Sequence, residues 1–440
     1  MNRLDRLALA VAGARKEVDP VRIGGRVTQV TPGSVRICGL SRSVCLGDLV
    51  VLSGKGGERR SEIIRLDEQD VLVKPFDSHV DIAIGARAFR KGSLTIHPHE
   101  SWKGRVIDAL GHPADDRGVL RPGPAAMLPD CDPPATLERA RIRKPVRTGV
   151  RVIDLFTPLC VGQRIGIFAG SGVGKSTLLA MLAGSGDFDT VVVGLVGERG
   201  REVREFVEDV LGEARERSVV VVATGNESAM MRRLAPKTAM GVAEYFRDLG
   251  QSVLLIIDSA TRFAHAARDV AMAAGEPPVA RGYTPSVFSD LTRLLERAGP
   301  GGEGKGAITG IFSVLVDGDD HNDPVADTLR GVLDGHIVLD RSIADAGRYP
   351  AVDVLKSVSR LSQHAWSAEE RELILRLKAM ISRFEDTRDL RLMGGYQPGS
   401  DPALDKACTL VPRIYEALRQ DARSAQVGDP FADLARALSA

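Results

Sequence analysis

Five runs of almost unbroken valine, isoleucine and leucine constrain this chain more than anything else in it: "RIGIFAG" from Arg164, "VVVGLV" from Val191, "VVVVAT" from Val219, "SVLLIID" from Ser252 and "AITGIFSVLV" from Ala307. Strands with apolar residues at every position must be covered on both faces, and that happens in a parallel sheet sandwiched between helices. The text between the runs supplies such helices. "REVREFVEDVLGEARER", residues 201–217, puts Val203, Phe206, Val207, Val210, Leu211 and Ala214 on one stripe and charge elsewhere, so a covering helix is expected there.

The flanks read differently. Short β-rich runs punctuated by glycine and charge ("VRIGGRVTQV", "SVRICGL", "DLVVL", "EIIRL", "DVLVKPF") predict a small β-barrel or sandwich over 21–91. Residues 111–147 concentrate proline, glycine and charge and should run extended over a surface. Beyond residue 366 strand signals stop, and Leu373, Leu377, Met380, Ile381 and Phe384 recur at helical spacing. A further helix should open at "SDPALDKA", with Asp401 as cap and Pro402 in the first turn. The expected fold is α/β: a P-loop parallel-sheet core over 92–366, an N-terminal small β-barrel over 21–91, a C-terminal helical domain over 367–440 and a leading segment, 1–20.

Bulk properties exclude several classes. The 440 residues carry 59 Lys and Arg against 58 acidic residues, a net charge of +1, and only 4% aromatics, so there is no global field or stacking platform for nucleic acid. The five cysteines include no C-x-x-C pair, which argues against a disulfide framework or zinc site. In "MNRLDRLALAVAGAR" Asp5 interrupts the basic start and the apolar stretch is minimal, so a secretory signal is disfavoured; Leu4, Leu7 and Val11 fit one face of a helix instead. No apolar run approaches the ~20 residues of a spanning helix, so membrane association is expected only through partners.

The first apolar run leads into "AGSGVGKST", residues 169–177, and a second apolar run follows. This matches strand, G-x-x-x-x-G-K-[ST], helix, with Ala169 at the first glycine position. Around Ser171 and Val173, the glycines 170, 172 and 174 let backbone N–H groups turn inward on phosphate oxygens; Lys175 reaches the terminal phosphates and Ser176, followed by Thr177, offers a hydroxyl to Mg²⁺. ATP and Mg²⁺ are the implied ligands. Glu198 follows the second strand, where a carboxylate can direct a water at the γ-phosphate, although a solvated loop acid would look the same. Arg199 and Glu202 share its loop and join the candidates, Arg199 as catalytic and Glu202 for the metal. Asp258 ends the "SVLLIID" strand, placed to hold Mg²⁺ or its water, or to cap the next helix. Arg262 either reaches the γ-phosphate or forms a structural ion pair.

The series "IFAGSGVGKST", "GLVGERGREV", "LLIIDSATRFAHAARDVAMAAGEPPVARGYTPSVFSDLTRLLERAG", "DGDDHNDPVADTLRGVLDGHIVLDR" and "YPAVDVLKSVSRLS" resembles the family of the catalytic β subunit of rotary ATP synthases and the ATPases of type III protein export. The resemblance implies a homo-hexameric ring with ATP between subunits. It makes Arg360 of "SVSR" a finger delivered to the neighbour's site, where a surface arginine is otherwise the plain reading, and Tyr349 of "YPAVD" the aromatic on adenine, otherwise a core tyrosine. In place of the acidic D-E-L-S-E-E-D type loop of the rotary subunit the chain reads "SRFEDTRDLRLMGGYQPGSDPALDKA", which resembles the export ATPases of flagella and injectisomes, the flagellar version being preferred.

That family picture implies a cytoplasmic enzyme at the inner-membrane export apparatus. A regulatory, stator-like protein would dock on residues 1–20, and export gate proteins, chaperones and export substrates would be its other partners. Two alternatives fit less well. An RNA translocase should carry an aromatic, basic RNA-binding domain, yet residues 1–100 hold only Phe76 and Phe89 among Phe, Tyr and Trp. A noncatalytic ring subunit resembles this chain but lacks a glutamate at the place of Glu198. The glycine-rich loop "ERAGPGGEGKGAITG" is expected to be an ordinary connection rather than a pore loop.

Overall fold

The computed structural model describes residues 22–79, 81–316, 323–421 and 428–439. The segment 1–20 expected to dock a partner and the "GDDHN" stretch of the family resemblance lie outside the described residues. The chain forms two compact units, one built on the N-terminal strands with Asp269–Glu276, the other comprising the rest.

In the first unit six antiparallel strands close on themselves: β1 (Gly24–Val30), β2 (Val35–Cys38), β3 (Leu49–Gly54), β4 (Gly57–Leu66), β5 (Asp70–Pro75) and β6 (Arg87–Gly92), in the order β1-β2-β5-β4-β3-β6. Closure leaves no unpaired edge. Val27, Val35, Ile37, Val50, Leu52, Ile63, Val71 and Val73 fill the interior, the inward residues of β2, β3 and β5 standing two apart as the pleat requires. Of the two all-β forms the sequence allowed, the barrel is the one adopted.

The second unit is organised by a sheet in the order β17-β16-β10-β15-β13-β11-β12-β7. Its parallel members are β7 (Val106–Asp108), β10 (Arg164–Ala169), β11 (Thr190–Val196), β12 (Ser218–Ala223), β13 (Ser252–Asp258), β15 (Ala307–Leu315) and β16 (Gly335–Leu339). All five apolar runs are strands of this sheet. The short strands β14 (Gly299–Pro300) and β17 (Val358–Ser359) pair antiparallel with β15 and β16, and β8 (Pro145–Val146) pairs with β9 (Leu159–Cys160). Residues 111–147 carry only β8 and one 3₁₀ turn, Thr136–Glu138, as their composition predicts. The glycine-rich loop is the hairpin between β14 and β15, closed by the Gly301 N–H on the Gly306 carbonyl.

Helices α1 (Lys175–Ala183), α2 (Gly200–Glu205), α3 (Ala229–Asp248), α4 (Ala260–Ala273), α5 (Pro285–Arg297), α6 (Pro324–Val332) and α7 (Arg341–Asp345) connect the strands. The helix expected over 201–217 is broken: α2 stops at Glu205, a wider π turn follows over Phe206–Val210, and 3₁₀ turns complete Gly212–Arg217. Gly212 has φ +49°, a left-handed conformation that ends a right-handed helix. The apolar stripe survives the break, with Phe206, Val207, Leu211 and Ala214 all buried.

Three longer helices close the chain: α8 (Ala368–Asp386), α9 (Pro402–Ala417) and α10 (Pro430–Ser439). Asp401 caps α9 as expected, accepting from the Ala403 and Leu404 N–H groups, with Pro402 in the first turn. In α8 the buried stripe is Ile374, Leu377 and Ile381, whereas Leu373 is exposed. It stands one residue, or about 100° of helical rotation, off the buried line. These helices share one apolar core with the sheet.

Candidate active site

Parallel sheets collect ligands at the carboxyl ends of their strands, and here four neighbouring strand ends converge. The chain leaves β10 at Ala169 and turns through Gly172 (φ +79°) and Gly174 (φ +87°), conformations that favour glycine. Val173 between them is buried and pins the turn to the core, while Ser171, Ser176 and Thr177 are exposed and Gly170 half-buried. Gly174 is the N-cap of α1, so the helix points its unsatisfied N–H groups at the loop.

Lys175, the first residue of α1, forms an ion pair with Asp258 at the end of β13 and lies 4.0 Å from Glu198. Asp258 is buried and also accepts from the Ser313 hydroxyl on β15 at 2.6 Å. It does not cap α4: the hydroxyl accepting an N–H at that helix start, from Arg262, is that of Ser259. Asp258 therefore faces the site. Glu198, just past β11, is buried and pairs at 3.1 Å with Arg262, which also donates to the Gly197 carbonyl. Of the two roles open to Arg262, the geometry here is the ion pair.

Burial pushes the Glu198 carboxyl up to about 7, helped by the negative charge of Asp258 and opposed by Lys175 and Arg262. A carboxyl held there is poised to exchange a proton near neutral pH. Glu202 sits close enough to hydrogen-bond Glu198 and pairs with Arg199 at 3.7 Å. Arg199 itself is 82% exposed at its side chain and is not drawn into the centre.

Tyr349 is 43% exposed, and a methyl group at Gly174 would stand 3.3 Å from its ring. The aromatic thus lies against the phosphate turn. Arg360 is elsewhere: its N–H donates to the Asp334 carbonyl and its guanidinium to the Arg330 carbonyl, at the amino end of β16 and far from the loop of its own chain.

Three contributors escape the sequence reading. Ser313 had a signal, being the lone serine of an apolar strand. Arg341 donates to the Ser171 carbonyl at 3.0 Å, and Gln420 donates its backbone N–H to the Tyr349 carbonyl. Neither has a pattern around it that marks the contact.

A glycine turn after a central strand, a helix-opening lysine, a carboxylate on a second strand and a buried glutamate on a third define a P-loop nucleoside triphosphatase. The nucleotide-binding domain of the ATP synthase alpha/beta family matches residues 149–359, and the T3SS EscN ATPase C-terminal domain matches 366–439. The chain is 54% identical over 436 residues to a flagellum-specific ATP synthase of Agrobacterium fabrum, covering 98% of this chain and 92% of that protein. Among solved structures it resembles the assembled ATPase EscN of the enteropathogenic E. coli type III secretion system, at TM-score 0.87 and 37% identity over 94% of this chain and 99% of that one. The same ATPase in complex with its central stalk EscO matches at TM-score 0.86 and 36% identity, over 94% of this chain and 100% of that one. The chain belongs to the ATP synthase alpha/beta family, in the branch of the flagellum-specific and type III secretion ATPases.

Proposed function

We propose that this chain is the ATPase of a flagellar type III protein export apparatus, hydrolysing Mg·ATP at the interfaces of a homo-hexameric ring to drive or facilitate export of flagellar proteins. The observation that carries the reading is the cluster of Lys175, Asp258, Glu198 and Arg262 beside the glycine turn. The flagellum-specific relative, more than half identical over nearly the whole chain, supports the biological assignment.

The donor chemistry fits Mg²⁺. Ser176 and Asp258, with Glu202 nearby, offer hard oxygens, and a magnesium ion held by one or two protein ligands completes its shell on phosphates and water. Among the described residues no group of three or more His, Cys, Asp or Glu gathers as an all-protein cage. Bound there, the ion would neutralise phosphate charge.

Lys175, paired with Asp258 here, exchanges that carboxylate for the terminal phosphates when ATP enters the turn. Loop N–H groups of 170–177 hold the phosphates, Tyr349 stacks on the base, and Glu198 accepts the proton of the attacking water and holds it in line. Arg262 steadies Glu198, Arg199 remains at the rim, and Arg360 enters the site of the next protomer to offset developing charge. The barrel of 21–91 serves ring assembly, 92–366 binds and hydrolyses ATP, and 367–440 faces export substrates and chaperones. Residues 1–20 dock the regulatory partner. Among the described residues no helix is long and apolar enough to cross a membrane; the enzyme works in the cytoplasm, held to the inner-membrane apparatus through export gate proteins.

Injectisome export is the second reading, favoured by the EscN match. A deletion strain separates the two. Loss of motility with effector secretion intact supports the flagellar role, and the reverse outcome assigns the chain to an injectisome. Purified protein without Mg-dependent ATPase activity would refute both.

A further inference from the structure

Immediately after α9 the chain passes under the nucleotide site, and one side chain there is engaged on every side. Gln420 is 7% exposed. Its Oε1 accepts from the Arg151 N–H at 3.0 Å, its Nε2 donates to the Gly149 carbonyl at 2.8 Å, and its own N–H donates to the Tyr349 carbonyl at 2.9 Å. Neighbouring contacts repeat the pattern. Arg419 donates to the Gly347 carbonyl, Arg151 donates to the Ala417 carbonyl, and the Arg348 guanidinium lies 3.7 Å over the Tyr415 ring of α9.

The loop carrying Tyr349 is therefore fastened to the C-terminal helices on one side and rests on Gly174 on the other.

We propose that Gln420 is a positioning residue for the nucleotide base: by locking the end of α9 to both the Gly149–Arg151 turn and the Tyr349 carbonyl, it holds the Tyr349 ring at its stacking distance. The inference rests on the reading of Tyr349 as the base-side aromatic. An unheld backbone carbonyl would let the ring drift, and a misplaced stacking partner weakens recognition of the base without touching the phosphate grip. Base affinity thereby depends on the packing of the C-terminal helices, and a bound base must tighten that seam in return.

The test compares ADP with inorganic tripolyphosphate, which shares the phosphate grip and has no base, both as magnesium complexes with the full-length protein. Gln420→Ala should weaken ADP binding about fivefold or more, the scale of one lost hydrogen bond. Tripolyphosphate affinity should be unchanged, with KM for ATP raised and kcat at saturation altered by less than about twofold. Equal losses for both ligands, or none for either, overturn the proposal. Should the alanine variant unfold, Gln420→Glu keeps the acceptor for Arg151 and loses the donor to Gly149; it must show the same selective loss, and failure to do so is equally fatal. Tyr349→Ala is measured alongside. Unchanged ADP affinity in that variant removes the base-stacking role itself and the proposal with it, whereas selective loss in Tyr349→Ala but not in Gln420→Ala sinks the proposal alone.

Discussion

The value of kcat/KM for Mg·ATP should rise about tenfold between about pH 6 and about pH 8 along a single-proton limb, because a base with a pKa near neutrality goes from about 9% to about 91% ionised across that interval. The base we propose is Glu198, pushed up to about 7 by its burial and by Asp258. The limb belongs to the free enzyme, which kcat/KM reports. The sign for stability is the opposite. The folded chain binds this proton more tightly than the unfolded chain does, so the contribution of Glu198 to stability falls as pH rises from 4.5 through about 7, while activity rises over the upper part of that window. Steady-state assays with the concentration of fully ionised Mg·ATP held constant at each pH remove the titration of the substrate. Glu198→Gln should keep ATP binding and lose about 10²- to 10⁴-fold in kcat, with no limb left. A flat wild-type profile would refute the reasoning. So would a midpoint below about pH 5.5, which would mean that Lys175 and Arg262 outweigh burial in setting the group.

Gly174→Ala should weaken ATP binding about tenfold, since a side chain at φ +87° costs about 1–2 kcal/mol and its methyl would press on the Tyr349 ring; equilibrium binding of a fluorescent nucleotide measures it, and wild-type affinity would contradict the geometry. Glu244→Ala strips the buried Arg297 guanidinium of its paired carboxylate and should cost about 3–5 kcal/mol in urea unfolding, against near-neutral loss at an exposed pair such as Arg204–Glu208. Arg360→Ala should lose about 10³- to 10⁵-fold in kcat while binding ATP normally. Mixing it with Lys175→Ala should restore part of the turnover, and a mixture as inactive as its components would exclude a site shared between chains.

The sheet was legible because its signal is redundant. Any of the five strands could be misjudged singly, but five doubly buried runs permit little else, so Glu198 and Asp258 could be placed at strand ends, and the glycine-rich motif placed Lys175 at the start of the following helix. What sequence did not carry was direction. Arg199 adjoins Glu198 in the sequence and Arg262 lies two strands further on, yet only Arg262 turns toward Glu198, because the start of α4 places it at the carboxyl ends of β11 and β13. The helix over 201–217 failed for a local reason. Its apolar period is intact, and period alone cannot register that Gly212 adopts a left-handed conformation. Gln420 and Arg341 act through backbone carbonyls, which leave no pattern of residue types to read.

The position of Arg360 decides how the site can be completed. Its N–H is bound to the Asp334 carbonyl, and the Asp334 N–H to the carbonyl of Arg164, the first residue of β10. The phosphate turn begins after Ala169, the last residue of that strand, and five steps at about 3.3 Å place it about 17 Å further along the sheet. Arg360 is thus level with the amino ends of the strands, and its guanidinium is spent on the Arg330 carbonyl. No side-chain rotation carries it to its own γ-phosphate site. Beside Glu198 two cations are already paired, Lys175 with Asp258 and Arg262 with Glu198 itself. ATP releases Lys175 but leaves Arg262 on Glu198, and a cation offered by another molecule would add to the charge available at the γ-phosphate. A second copy presenting the amino end of its sheet to this site would bring Arg360 with it, and turnover then becomes a property of the contact between chains rather than of the chain alone.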